Sequence, residues 1–393
     1  MNTEALRTVA ATYGTPTYIF DVREVEARIR LLRSLLPEDT GLCFAVKANP
    51  FLIPYVADLV DRLEVCSPGE YEICIQEQIA PEKIVVSGVN KTYESMKRIL
   101  SYSKGAGIYT IEHAKILRTL AEKNQMPLSV LIRLSSGNQF GVDAETFLRL
   151  AKEIQESPYL TLAGVHYYAG TQKRQSKLEK ELDTLTAFAK TFEEETGTVL
   201  NELEYGAGMK VSYFINDSEK DQRESEPEPQ IQALAEKLRT CAYGKKTIEL
   251  GRFLVSMSGY YLTRVMDVKR TAQPGFLILD GGIHQINYYG WMMGMKQPEI
   301  EVLAEKDGDE ELFHLCGSLC TVNDVLARDV ALHDPQKGDV ICFKRCGAYA
   351  ATEGMAMFLS RELPQVLICK TDGKIEKLRD QMETYLFHVS ATT

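Results

Sequence analysis

The chain lacks any apolar run approaching the roughly 18 residues that a membrane-spanning helix needs, so no span is expected. It also lacks a basic excess. Forty-five lysines and arginines face 55 acids, a net charge of −10. That balance argues against nucleic acid and against an anionic membrane surface as partners. The stretch from Met1 to Pro16 has no apolar core of signal-peptide type. The nine cysteines are an odd set in hydrophobic settings, such as Leu42–Cys43–Phe44 and Ile341–Cys342–Phe343. They read as reduced thiols of a cytoplasmic protein rather than as a disulfide framework. Cys316 with Cys320, and Cys342 with Cys346, have spacings that could hold zinc. The surrounding sequence reads as strand and turn, where a free cysteine behaves as a small hydrophobe, so no metal is expected.

What the chain does have is length and a core. With 393 residues, 45% of them hydrophobic, it can build two domains of ordinary size. Eight short apolar runs recur: Leu42–Val46, Leu63–Cys66, Ile84–Val86, Ile108–Ile111, Val130–Leu134, Leu162–Tyr168, Leu203–Tyr205 and Thr247–Leu250. Most gaps carry helical spacing, as in Tyr93, Met96 and Leu100. Alternating strands and helices imply a parallel sheet, and eight such units predict a (β/α)8 barrel over residues 23–252. Polar residues and glycines cluster at the ends of these runs, the face where barrels of this kind carry their sites. After Arg252 the runs Tyr260–Val265, Phe276–Leu279, Val340–Phe343 and Gln365–Cys369 are strand-like. They predict an antiparallel β domain, formed by 253–393 together with 1–22. The acidic stretch Asp217–Gln230, with two prolines, reads as a solvated loop.

Lys47 stands out among the single residues. It ends the first run and precedes Ala48–Asn49–Pro50, and the proline stops the strand. A lysine leaving a strand end is partly desolvated. It can carry a lowered pKa and form a Schiff base with a carbonyl. Taken alone, a snorkelling surface lysine explains it better.

The ordered set of motifs is more specific. Ala45–Val46–Lys47–Ala48–Asn49, Glu249–Leu250–Gly251–Arg252, Leu319–Cys320 and Cys346–Gly347–Ala348–Tyr349 occur in that order. The chain thereby resembles the fold-type III pyridoxal phosphate (PLP) amino-acid decarboxylases, which include the diaminopimelate, ornithine and arginine enzymes. The resemblance implies that Lys47 carries PLP and that Glu249 faces the pyridine nitrogen. It implies that Gly206–Ala207–Gly208, Arg252, Tyr349 and Thr171 hold the phosphate. It implies that Tyr168 stacks on the ring, where the family usually has histidine. Cys320 would come from the second subunit of a homodimer with shared active sites and return a proton after CO2 leaves. Glu64 and Glu70 fall where the family has acids near the cofactor. Arg133, His284 and Asp324 are candidates at the substrate-binding end. A racemase on a similar barrel would place arginine, not Glu249, at the pyridine nitrogen.

One departure bears on substrate. Thr321 follows Cys320, where decarboxylases of basic amino acids usually have an acid that binds the distal amine. The pattern is closer to the butirosin-pathway and staphyloferrin-type decarboxylases, whose substrates are conjugated at the far end. The expectation is therefore a decarboxylase of a conjugated or carrier-tethered α-amino acid. The alternatives are a diaminopimelate decarboxylase and a non-catalytic PLP-binding homologue.

Overall fold

The computed structural model describes residues 1–271, 273–288 and 293–390. The chain divides into two compact units. One comprises Met1–Val25, Ser212–Gln222 and Val255–Thr393; the other comprises Glu26–Val211 and Arg223–Leu254.

Strand β1 (Thr17–Asp21) belongs to the first unit. The second unit is a closed barrel of eight parallel strands: β2 (Thr40–Ala45), β3 (Arg62–Val65), β4 (Ile84–Val86), β5 (Ile108–Ile111), β6 (Leu128–Arg133), β7 (Leu160–Tyr168), β8 (Glu202–Gly206) and β9 (Lys245–Leu250). The ring closes where β2 pairs β9, Cys43 opposite Glu249. Every apolar run read as a barrel strand lies on one of these. Both faces of a parallel barrel are covered, so its strands read as continuous hydrophobic runs. The helices between them follow the 3.6-residue period. Helix Ala144–Gln155 buries Phe147, Leu150, Ala151 and Ile154, and Asp143 caps it by accepting from Thr146 N at 2.8 Å.

The barrel interior also holds charge. Arg62 donates to Glu202 and, at 2.8 Å, to Glu204. Both acids are buried. Burial, opposed by Arg62, pushes the Glu204 carboxyl up to about 7. A buried charge is tolerated when paired in this way.

The other unit continues with β10 (Gly259–Lys269), β11 (Gly275–Leu279), β12 (Ile300–Val302), β13 (Glu310–Cys316), β14 (Val325–His333), β15 (Val340–Lys344), β16 (Gln365–Cys369) and β17 (Ile375–Arg379). The sheet runs β14-β13-β11-β10-β1-β16-β17, with β15 pairing β10 and β12. Most pairs are antiparallel, as expected. β1 with β16 and β11 with β13 are parallel, which no local pattern announced.

The solvated loop expected over Asp217–Gln230 needs correction. Helices Glu219–Glu224 and Pro227–Thr240 occupy most of it. Pro227 sits in the first turn, where a missing N–H costs nothing. Gln230 is buried and accepts from Lys210 N at 2.9 Å.

Candidate active site

The end of β2 turns through Val46–Ala48 and delivers Lys47 to the carboxyl end of the barrel. Its Nζ lies 2.8 Å from Glu64 Oε2 on β3 and 3.4 Å from Glu249 Oε1 on β9. It also stands 3.5 Å from Cys66 Sγ and 5.8 Å from the centroid of the Tyr168 ring. Three segments distant in sequence therefore converge on one amine.

This environment reverses the expected pKa shift of Lys47. Burial alone would lower it, but the Glu64 and Glu249 carboxylates outweigh burial and hold the ammonium well above its ordinary value. Glu249 is likewise displaced. Burial would raise its carboxyl, yet Lys47 and His166 hold it well below the usual carboxylate range. His166 Nε2 lies 3.2 Å from Glu249 Oε2, and His166 Nδ1 is buried without a hydrogen-bond partner among the described residues.

Sequence reasoning passed over the group that fixes Glu64. Cys66 Sγ lies 2.9 Å from Glu64 Oε1, and the Ser87 hydroxyl donates to the same oxygen. Burial and Glu64 push the Cys66 thiol up to about 12, so it stays a donor. Glu70, in the first turn of helix Pro68–Gln76, accepts from Cys66 N at 2.6 Å. That ties the helix start to the residue before its Ser67 cap.

The end of β8 and the turn after it carry Gly206, Ala207 and Gly208. Gly208 has φ +58°, and a Cβ there would overlap Gly170 O. A Cβ on Gly206 would stand 2.5 Å from the Tyr168 ring. Both positions therefore require glycine. Ala207 is buried, so its methyl finds room. The segment with Thr171 lies alongside: Lys173 N donates to Gly208 O at 2.9 Å. Lys173, also missed in the sequence, is buried and braces the turn through Gly206 O at 3.0 Å and Glu181 at 2.6 Å. Arg252 follows β9 and is 9% exposed. Arg133 ends β6 and stacks over Phe140, 4.8 Å from its centroid.

The remaining candidates belong to the β unit. Cys320 is exposed in the turn before β14. Tyr349 is half-buried with φ +64°. His284 is buried, and neither ring nitrogen has a hydrogen-bond partner among the described residues. Burial, then Arg361, pulls it down to about 4. Asp324, expected at the substrate, is buried with both carboxylate oxygens accepting from main-chain amides.

The barrel residues fit PLP. An amine beside an aromatic ring, a carboxylate held ionised, and a turn whose two glycines admit no larger residue match aldehyde, pyridine ring and phosphate in turn.

The sequence pattern of the family described as pyridoxal-dependent decarboxylase, pyridoxal binding domain, matches residues 22–256. The chain belongs to the pyridoxal-dependent decarboxylases. It is a PLP enzyme, an amino-acid carboxy-lyase of biosynthetic metabolism. Three relatives are informative. An L-glutamyl-[BtrI acyl-carrier protein] decarboxylase of Niallia circulans is 26% identical, over 96% of this chain and 94% of its own. A diaminopimelate decarboxylase of Pseudomonas aeruginosa is 29% identical, over 88% and 85%. A 2-[(L-alanin-3-ylcarbamoyl)methyl]-2-hydroxybutanedioate decarboxylase of Staphylococcus aureus is 24% identical, over 89% and 93%.

Proposed function

We propose that this decarboxylase acts on an α-amino acid whose far end is conjugated or tethered to a carrier. One observation carries the reading. The residue after Cys320 is Thr321, and the one acid in that turn, Asp324, has both oxygens engaged by Leu319 and Ile283 amides. The turn thus offers no free carboxylate to a distal ammonium, and a buried ammonium without a partner is costly. Two of the relatives are named for substrates of the conjugated kind.

PLP, when bound, supplies an electron sink for the carbanion left by loss of CO2. In our reading Lys47 holds the cofactor covalently and yields it to the substrate amine. Glu64, steadied by Cys66 and Ser87, is placed to take and return the Lys47 proton during that exchange. Glu249 stays ionised and keeps the pyridine nitrogen protonated, while His166 orients it. Arg252, Thr171 and the Gly206–Gly208 turn hold the phosphate, and Tyr168 covers the ring. Arg133 faces the substrate. Cys320, supplied by a second subunit, returns the proton. An exposed apolar surface supports a dimer. Met355, Phe358 and Leu359 lie exposed, as do Tyr385, Leu386 and Phe387. The two segments are tied by Ser360 Oγ and His388 Nδ1 at 2.7 Å. Exposed apolar side chains on two linked segments fit a subunit contact.

The test compares kcat/KM for meso-diaminopimelate, ornithine, lysine, citrate-conjugated diaminopropionate and carrier-linked glutamate. A conjugated substrate should be preferred. A value of roughly 10⁴ M⁻¹s⁻¹ or more for a free basic amino acid, within the ordinary enzyme range, would replace this reading. For diaminopimelate it would promote the second reading, lysine biosynthesis, which the Pseudomonas relative favours.

A further inference from the structure

Asp324 is 2% exposed, at the base of the turn that carries Cys320. Its Oδ2 accepts from Leu319 N at 2.7 Å and its Oδ1 from Ile283 N at 2.8 Å. The carboxylate therefore joins two separate stretches of main chain. The backbone of the same residue closes the turn: Gly317 N donates to Asp324 O at 2.9 Å, and Asp324 N to Thr321 O at 3.2 Å. The space around the carboxylate is used up. A Cβ on Gly317 would overlap Oδ2, and one on Gly282 would stand 2.7 Å from it.

Hydrogen bonds to an ionised carboxylate are roughly twice as strong as neutral ones. Here both run to amides, and one of those amides belongs to the residue immediately before Cys320. Beyond it the turn has little packing of its own, since Val322 is 91% exposed. The order of the turn must come from its base.

We infer that Asp324 is a positioning residue rather than a substrate ligand: its carboxylate fixes the turn that aims the Cys320 thiol. This rests on the proposed role of Cys320 as proton donor. The catalytic step is unchanged, the thiol proton passing to the substrate carbon and the thiolate being reprotonated from solvent. Asp324 sets where the thiol stands.

Asp324→Asn keeps the shape but turns an NH2 group toward one of the two N–H donors, so that amide loses its acceptor. We expect kcat to fall on the order of tenfold or more, because small misplacements of a reacting group are costly. KM and PLP affinity should be nearly unchanged. In a Cys320→Ala background the same substitution should lower kcat no further, because it acts through the thiol. Alkylation of Cys320 by iodoacetamide, followed by mass spectrometry, should change severalfold in rate. Gly317→Ala crowds the carboxylate and the Gly282 backbone and should reproduce these effects, and unchanged PLP affinity in both variants guards against a folding defect. Wild-type kcat and alkylation rate in Asp324→Asn would overturn the inference, as would an equal loss of kcat with and without Cys320. If Cys320→Ala itself keeps wild-type kcat, the proton-donor reading is what fails. The alkylation rate then still decides whether Asp324 positions the thiol.

Discussion

Replacing Glu249 by glutamine removes one charge and little volume. The carboxylate is 3.4 Å from Lys47 Nζ and 3.2 Å from His166 Nε2, and it is 5% exposed. Its neighbours hold it ionised against burial. A preorganised charge in a water-poor site is worth about 3 to 4 kcal/mol to a transition state in which charge develops, or about 10²- to 10³-fold in rate. A neutral amide cannot keep the pyridine nitrogen protonated, so the loss should fall on kcat. PLP affinity should change little, because Lys47 and the glycine turn are untouched. Single-turnover CO2 release reads the chemical step, and absorbance titration reads cofactor binding. The same substitution removes one of the two carboxylates that raise Lys47, so the Lys47 pKa should drop. A change in kcat below about threefold, far short of that electrostatic effect, would refute the placement of Glu249 against the cofactor.

Other predictions follow from the same geometry. Borohydride reduction of the PLP-loaded protein should fix the cofactor on the peptide containing Lys47; label on another lysine would remove Lys47 from the site. Mixing Lys47→Ala with Cys320→Ala subunits should raise activity above that of either variant alone, and verified subunit exchange without such a gain would place the whole site in one chain. Gly208→Ala should weaken PLP binding, read by titration of the apoprotein, because its Cβ would collide with Gly170 O. The Glu204 carboxyl is raised from 4.5 to about 7, so the folded chain binds more protons than the unfolded chain between those values. Stability should therefore fall as pH rises through that window, by about 3 kcal/mol for a shift of this size, and level off above it. Chemical denaturation from pH 4.5 to 7.5 should show that slope, and Glu204→Gln should flatten it.

The barrel was legible because its strands are buried on both faces and so appear as uninterrupted apolar runs, each closed by glycine or a polar residue. Lys47 could be singled out because it ends such a run, Glu249 only because Glu249–Leu250–Gly251–Arg252 resembles a family motif, and the fold brings the two to 3.4 Å. Pairing across the ring was not legible. Arg62, Glu202 and Glu204 lie on strands that are not neighbours in sequence, and only ring closure turns three isolated charges into a compensated group. The direction of the Lys47 shift had the same origin. A strand-end lysine read locally is desolvated and acidified, while the closed barrel sets two carboxylates against it. The helices within Asp217–Gln230 escaped notice because the first buries no side chain and the apolar face of the second begins only at Ile231. Local sequence determined the strands, the helices between them and the reactive residue types. Tertiary structure decided which charges face one another, because Coulomb and hydrogen-bond energies depend on distances that close only when the chain does.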